Sequence, residues 1–244
     1  MSDAEERALL LEVALNGTRS ASEHPTIPIA PAQSAAEARA SVAAGAGAIH
    51  VHVRDRLGNE TLAAKDVADT ISAIRDTCPG TPVGISTGAW IIPDLRRRLR
   101  VISSWTVLPD FASVNLHEAG AAHVIQLLLD RGVGIEAGIW NAPSAVVLVE
   151  SGFADRCMRI LLEPAEASCR ARTNLLQMEA VLVGVTPRRL LHGLGPCAWE
   201  FVNLAAARQY DTRVGFEDTL RLPDGSPAIS NAQLIAAARR IVGR

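Results

Sequence analysis

Apolar and polar positions along the chain change their period repeatedly. Short runs rich in Val, Ile and Leu near 8–15, 47–53, 82–87, 111–116, 132–140, 157–163, 188–194 and 212–217 read as strands. Longer Ala-rich stretches near 34–44, 62–77, 92–103, 119–130, 143–152, 166–183, 197–208 and 231–242 carry helical spacing. Strands alternating with helices predict parallel pairing through crossovers. Eight such units in 244 residues predict a (β/α)8 barrel. An open doubly wound sheet shares this alternation. Here, however, Leu15-Asn16-Gly17-Thr18-Arg19 follows the first strand and leads into a Pro-rich loop, without a Gly-x-Gly-x-x-Gly fingerprint. No linker or composition shift divides the chain, so one domain over 1–244 is expected.

Composition narrows the class. A net charge of −2 gives no reason to expect a nucleic-acid or membrane-surface partner. Neither end carries an apolar run of membrane-spanning length. The acidic start Ser2-Asp3-Ala4-Glu5-Glu6 is the opposite of a signal peptide's basic one. Cys78, Cys157, Cys169 and Cys197 are widely spaced and read as reduced, buried residues. A soluble cytoplasmic protein is expected.

The candidate chemistry begins at Ile49-His50-Val51-His52-Val53-Arg54-Asp55. Side chains on a strand alternate faces, so Ile49, Val51 and Val53 point one way and His50, His52 and Arg54 the other. With the apolar set under the helices, two imidazoles one pleat apart line the lumen within reach of one ion. Such ligands suit zinc, and also manganese, iron or nickel. Core histidines satisfied by hydrogen bonds are the ordinary alternative, but two of them beside an arginine are costly to bury unpaired.

The last strand offers a third ligand. In Arg213-Val214-Gly215-Phe216-Glu217-Asp218, alternation turns Arg213, Gly215 and Glu217 inward. Asp218 falls at the C-terminal end, where barrel enzymes keep their catalytic groups. In a closed barrel only the first strand separates this one from the second. Glu217 is therefore expected to complete a two-histidine, one-carboxylate site, the alternative being an internal pair with Arg213. Ser86 and Thr87 before Gly88, Ser113 and Asn115, Glu136, Glu163 and His192 add polar groups at other strand ends. His117, Glu118 and His123 look like the start of an amphipathic helix. The loop with His24-Pro25 could close over the site.

These segments, in order, resemble the β-keto acid cleavage enzyme family. The matching stretches are His24-Pro25-x-x-Pro28, Ala44-Gly45-Ala46 through His50-Val51-His52-Val53-Arg54-Asp55, and Ile85-Ser86-Thr87-Gly88. They continue with Ala112-Ser113-Val114-Asn115, Arg213-Val214-Gly215-Phe216-Glu217-Asp218 and Ser230-Asn231-Ala232-Gln233-Leu234. The resemblance implies a (β/α)8 barrel, usually a homotetramer, with a divalent metal, typically Zn2+. It implies a Claisen-type exchange in which a β-keto acid and acetyl-CoA give acetoacetate and a new acyl-CoA. By motif, His50, His52 and Glu217 resemble the metal ligands, and Arg213 with Asp218 the pair acting on the substrate. Ser86, Thr87, Gly88, Ser113 and Asn115 resemble the positions that hold the keto acid. Glu136 resembles the first glutamate of a Glu-x-Glu pair and is grouped with the catalytic residues.

The chain departs from the family at Asn16-Gly17-Thr18-Arg19, where an acidic residue is common, and at Gly138, where the second glutamate is missing. It departs again at Leu162-Glu163-Pro164-Ala165-Glu166, in place of a Gly-rich segment, and it is short for the family. Other classes fit less well. A cupin places a glutamate soon after His-x-His, where this chain has Arg56 and Leu57. Amidohydrolase barrels carry His-x-His on the first strand and need more histidines later. A metal-dependent aldolase or lyase acting without CoA, and a non-catalytic binding relative, are the remaining rivals.

Overall fold

The computed structural model describes residues 8–164 and 169–243. Its strands are β1 (Leu11–Ala14), β2 (Ala48–Val51), β3 (Val83–Ser86), β4 (Phe111–Asn115), β5 (Gly134–Ile139), β6 (Arg159–Leu162), β7 (Arg188–Leu191) and β8 (Asp211–Val214). They pair in sequence order, all parallel, and β8 returns to β1 to close the barrel. The helices that follow them are α1 (Pro31–Ala44), α2 (Ala64–Thr77), α3 (Leu95–Ser103), α4 (Ala121–Asp130), α5 (Ala142–Glu150), α6 (Cys169–Val181), α7 (Ala198–Ala207) and α8 (Asn231–Val242). This is the expected (β/α)8 barrel. Residues 166–168 of the expected sixth helix and residues 2–6 of the acidic start lie outside the described residues.

Helix starts follow local chemistry. Asp94 caps α3 by accepting from the Arg97 N–H, which starts that helix three residues later than the apolar pattern suggests. Asn141 and Ser144 form a reciprocal capping box at α5, with Pro143 in its first turn.

Two apolar sets hold the barrel. Ile49, Val51, Ile85, Ile135, Ile160 and Val214 are fully buried together with helix residues such as Ile71, Ile74, Leu128 and Phe201. Each such side chain stabilises the fold by roughly 1.5–3 kcal/mol. The lumen is polar by contrast. Arg159 on β6 pairs with Glu12 on β1 at 2.9 Å and with Glu136 on β5, and its guanidinium lies 4.8 Å from the Phe111 ring.

Two strands end earlier than alternation suggests. β8 stops at Val214, because Gly215 presses against β1: a Cβ there would lie 1.9 Å from the Ala14 carbonyl oxygen. The Asp218 and Thr219 N–H groups then donate to the Gly215 carbonyl at 2.9 and 3.0 Å, turning the chain. β2 stops at Val51, because the next amide, that of His52, donates to Asn16 Oδ1 at 2.9 Å rather than to a strand. Glu217 and His52 thus stand just above the sheet. That is the C-terminal rim, where a barrel places its chemistry.

Candidate active site

His50 rises from β2, His52 stands one pleat further on, and Glu217 lies in the turn after β8. Glu217 Oε2 is 3.8 Å from His50 Nε2 and 3.5 Å from His52 Nε2. That oxygen is buried and accepts no hydrogen bond from the protein. Ligand atoms about 2.1 Å from a tetrahedral zinc stand about 3.4 Å apart, so the three side chains fit an ion with little movement. His50 and Glu217 carry the charge states a donor set needs, while His52 would have to release a proton to join it. Burial, Arg213 and His52 together hold His50 well below the usual imidazole range, so its imidazole is neutral. Burial also disfavours the charged form of His52, but Glu217 and Glu60 lift its pKa to about 9. Burial likewise opposes the Glu217 charge, yet Arg213 and both histidines hold its pKa well below the usual carboxylate range.

The triad has a supporting layer. Glu60, in the loop before α2, places Oε1 2.5 Å from His52 Nδ1 and accepts from the Trp90 indole at 3.0 Å. Trp90 stacks on His52, with centroids 6.1 Å apart and planes at 24°. Asn16 donates to the carbonyls of Pro28 and His52, each at 3.0 Å, tying the end of β1 to the second histidine. Gly17 adopts φ +55°, and a Cβ there would lie 2.4 Å from Glu217 Cγ. Only glycine leaves room for the carboxylate to lie over β1. Arg54 turns to the carbonyls of Gly17 and Arg19, so it braces the first loop.

A second chain of charges crosses the rim. Arg213 Nη2 is 2.6 Å from Glu217 Oε1 and 3.1 Å from Asp218 Oδ1. Asp218 Oδ1 is also 3.1 Å from His192 Nδ1, and His192 Nε2 is 3.3 Å from Glu163 Oε2. The His192 contacts are ion pairs by distance, without hydrogen-bond alignment. Burial and Arg213 push the His192 imidazole down, but Asp218 and Glu163 together raise its pKa to about 9. Arg213 itself, despite burial, is held well above its usual value by Asp218, Glu217, Glu163 and Glu12.

One cavity gathers these groups. His50, His52, Ser86, Ser113, Asn115, Arg213 and Glu217 line it, as the sequence leads one to expect, together with Trp90, Trp140, Leu161 and Glu163. The Thr87 hydroxyl is turned away and donates to the Ser113 carbonyl at 2.7 Å, while the Gly88 N–H points to Ser86 Oγ at 3.4 Å. The Asn115 amide donates to Glu118 at 3.0 Å. Asp218 is 1% exposed and sits behind Arg213, outside the lining. Glu136 is likewise absent from the lining, being engaged with Arg159 in the lumen. His117 packs on Trp140, and His24 on the Phe216 ring, with centroids 4.4 and 4.6 Å apart. Glu12, Glu60, Trp90, Trp140 and Arg159 are the residues that sequence reasoning passed over. Glu12 and Arg159 did leave a trace, as lone charges inside apolar strands.

A model of the beta-keto acid cleavage enzyme family matches residues 8–244. The chain belongs to that family. A curated relative, the 3-keto-5-aminohexanoate cleavage enzyme of Fusobacterium nucleatum subsp. nucleatum, is 26% identical over 252 residues, covering 96% of this chain and 90% of that protein. Among solved structures, apo ObcA superposes with a TM-score of 0.65 at 16% identity, over 88% of this chain and 61% of ObcA. The present chain thus spans less than two thirds of ObcA. A type I 3-dehydroquinate dehydratase from Clostridium difficile gives a TM-score of 0.63 at 12% identity, over 97% and 93% of the two chains. At those identities the two structures speak for the barrel alone. The family match supports an enzyme that cleaves keto acids.

Proposed function

We propose that this β-keto acid cleavage enzyme is a metal-dependent acyltransferase that uses acetyl-CoA. The exchange is R–CO–CH2–COO⁻ plus CH3–CO–SCoA giving R–CO–SCoA plus CH3–CO–CH2–COO⁻. The observation that carries it is the Glu217 carboxylate. It faces both histidine Nε2 atoms through one oxygen and Arg213 through the other, at the wall of one polar cavity. A divalent ion held by His50, His52 and Glu217, zinc as the family resemblance implies, would supply Lewis acidity toward a ketone oxygen.

The protein's own groups do the rest. Arg213, fixed from behind by Asp218, presents a permanent positive charge to the substrate carboxylate. Ser86, Ser113 and Asn115 supply short, rigid hydrogen-bonding groups along the cavity wall. Trp90 and Trp140 line the same cavity, and their rings would exclude water from it, which would strengthen each of these polar contacts. The Arg213–Asp218 pair would act at the substrate methylene, with Arg213 its cavity-facing member. Glu136 would act only through Arg159. A cytoplasmic homotetramer completes the reading that the family resemblance suggests.

The test is a metal analysis of purified protein followed by a panel of β-keto acids with and without acetyl-CoA. The expected result is about one divalent ion per chain, with acetoacetate and an acyl-CoA appearing only when both substrates are present. Equal cleavage without acetyl-CoA would instead favour a metal-dependent lyase. Absence of both metal and turnover would favour a non-catalytic binding relative.

A further inference from the structure

Glu12 and Glu136 stand in the lumen beneath the cavity. Both carboxylates are fully buried, and each gives one oxygen to Arg159. Their other oxygens, Glu12 Oε1 and Glu136 Oε2, are buried and have no hydrogen-bond partner among the described residues. A third atom shares that condition, His50 Nδ1. One nitrogen of His50 and one oxygen from each carboxylate lie within 4.8 Å of one another. Buried polar atoms are nearly always paired, so orphans on three neighbouring side chains call for a common explanation.

The sheet register says which carboxylate stands nearest. Glu12 on β1 is level with Ala48 on the adjacent β2, one pleat before His50, so it lies one lumen layer beneath the histidine. On β2 itself, Ala48 sets only a methyl group at that level. Glu136 comes from β5, across the barrel, and its Oε1 is taken by Arg159, which also holds Glu12 Oε2 at 2.9 Å. On the rim side, His50 Nε2 is turned toward Glu217 at 3.8 Å. A neutral imidazole that gives Nε2 to an ion carries its hydrogen on Nδ1, and a buried N–H needs an acceptor.

We propose that Glu12 is a positioning residue of the metal centre: its Oε1 accepts the Nδ1–H of His50 and so aims Nε2 at the ion. Arg159 fixes the Glu12 carboxylate from its other oxygen, and Glu136 serves through Arg159. The inference rests on the metal-dependent reading above. A carboxylate behind a ligating imidazole sets its tautomer and its direction. The two histidines are then braced from opposite sides, His52 from the rim by Glu60 and His50 from the lumen by Glu12. This role also accounts for an acid at a lumen position where a barrel ordinarily packs a branched apolar side chain.

The experiment compares wild type with Glu12→Gln, Glu136→Gln and Glu60→Gln. It measures ions bound per chain, zinc affinity in competition with a chelator, urea stability and the imidazole N–H resonances of the zinc-loaded protein. Glu12→Gln should bind zinc about 10–100-fold more weakly, the usual cost of losing such a partner, and Glu136→Gln should lose less. The zinc-loaded wild type should show a slowly exchanging imidazole N–H resonance that moves in Glu12→Gln and stays in place in Glu60→Gln. A purely structural role would lower urea stability with affinity and resonance unchanged, and that result overturns the assignment. So does a larger loss of affinity in Glu136→Gln than in Glu12→Gln. No such resonance in the zinc-loaded wild type overturns it without recourse to any variant. Two ions per chain in the wild type, falling to one in Glu12→Gln, overturn it in favour of a second cation in the lumen. A wild type that binds no divalent ion overturns the parent reading and the assignment with it.

Discussion

His52 Nδ1 lies 2.5 Å from Glu60 Oε1, and the other oxygen of Glu60 accepts the Trp90 indole N–H. The contact leaves His52 Nε2 turned toward Glu217. Carboxylates placed this way orient a ligating imidazole and raise its basicity. Glu60→Gln should therefore weaken zinc binding by roughly 10–100-fold, read in competition with a chelator. Trp90 fluorescence should report the titration in the wild type. An unchanged affinity would remove Glu60 from the site.

The proposed ligands themselves should be far less tolerant. His50→Ala or His52→Ala should reduce bound divalent metal to near zero by elemental analysis, with the fold retained by circular dichroism. Full metal retention in both variants would sink the assignment.

Asp218→Asn tests the neighbouring layer. Asp218 touches Arg213 and His192. The variant should keep its ion and lose turnover by about 100-fold. Undiminished turnover with the ion in place would show that this carboxylate has no part in the reaction.

His192 also gives stability a pH dependence. Its folded pKa, about 9, lies above the ordinary 6.5, so the folded state gains from the bound proton. That contribution is fully present below pH 6.5 and is lost as pH rises through about 9. The loss is on the order of 2–3 kcal/mol. Urea unfolding from pH 6 to 9.5 should show the decline in the wild type and a flatter profile in His192→Asn. Parallel profiles would contradict it.

Arg159→Met tests the lumen. The change removes the shared partner of Glu12 and Glu136, two fully buried carboxylates. Burial and Glu136 already hold the Glu12 pKa well above the usual carboxylate range. Unfolding should cost about 3–5 kcal/mol less than in the wild type, the usual penalty for stranding buried charge. A change below 1 kcal/mol would mean the two acids are satisfied by other means.

Much of this architecture is written in the alternation of the chain. Strand periodicity is local, so it located each strand and gave His50 and Arg213 their lumen faces. The parallel, sequential order then brought the second and last strands to either side of the first. Other features depend on distance in space rather than in sequence. Glu60 and Trp90 come from separate loops and meet over His52 only because both loops fold onto the rim. Arg159 meets Glu12 across the closed lumen, a contact 147 residues apart that periodicity cannot show. Strand ends escaped for the same reason. What stops β8 is the approach of Gly215 to Ala14, which nothing in the segment Arg213–Asp218 announces.

The position of Gly17 beneath Glu217 bears on how the protein matures. A ribosome delivers His50 and His52 early and Glu217 near the finish, so a nascent chain carries an incomplete set of donors for most of its synthesis. The carboxylate can settle over Gly17 only once β8 has docked against β1. Capture of the proposed ion is then expected late, once the barrel has closed.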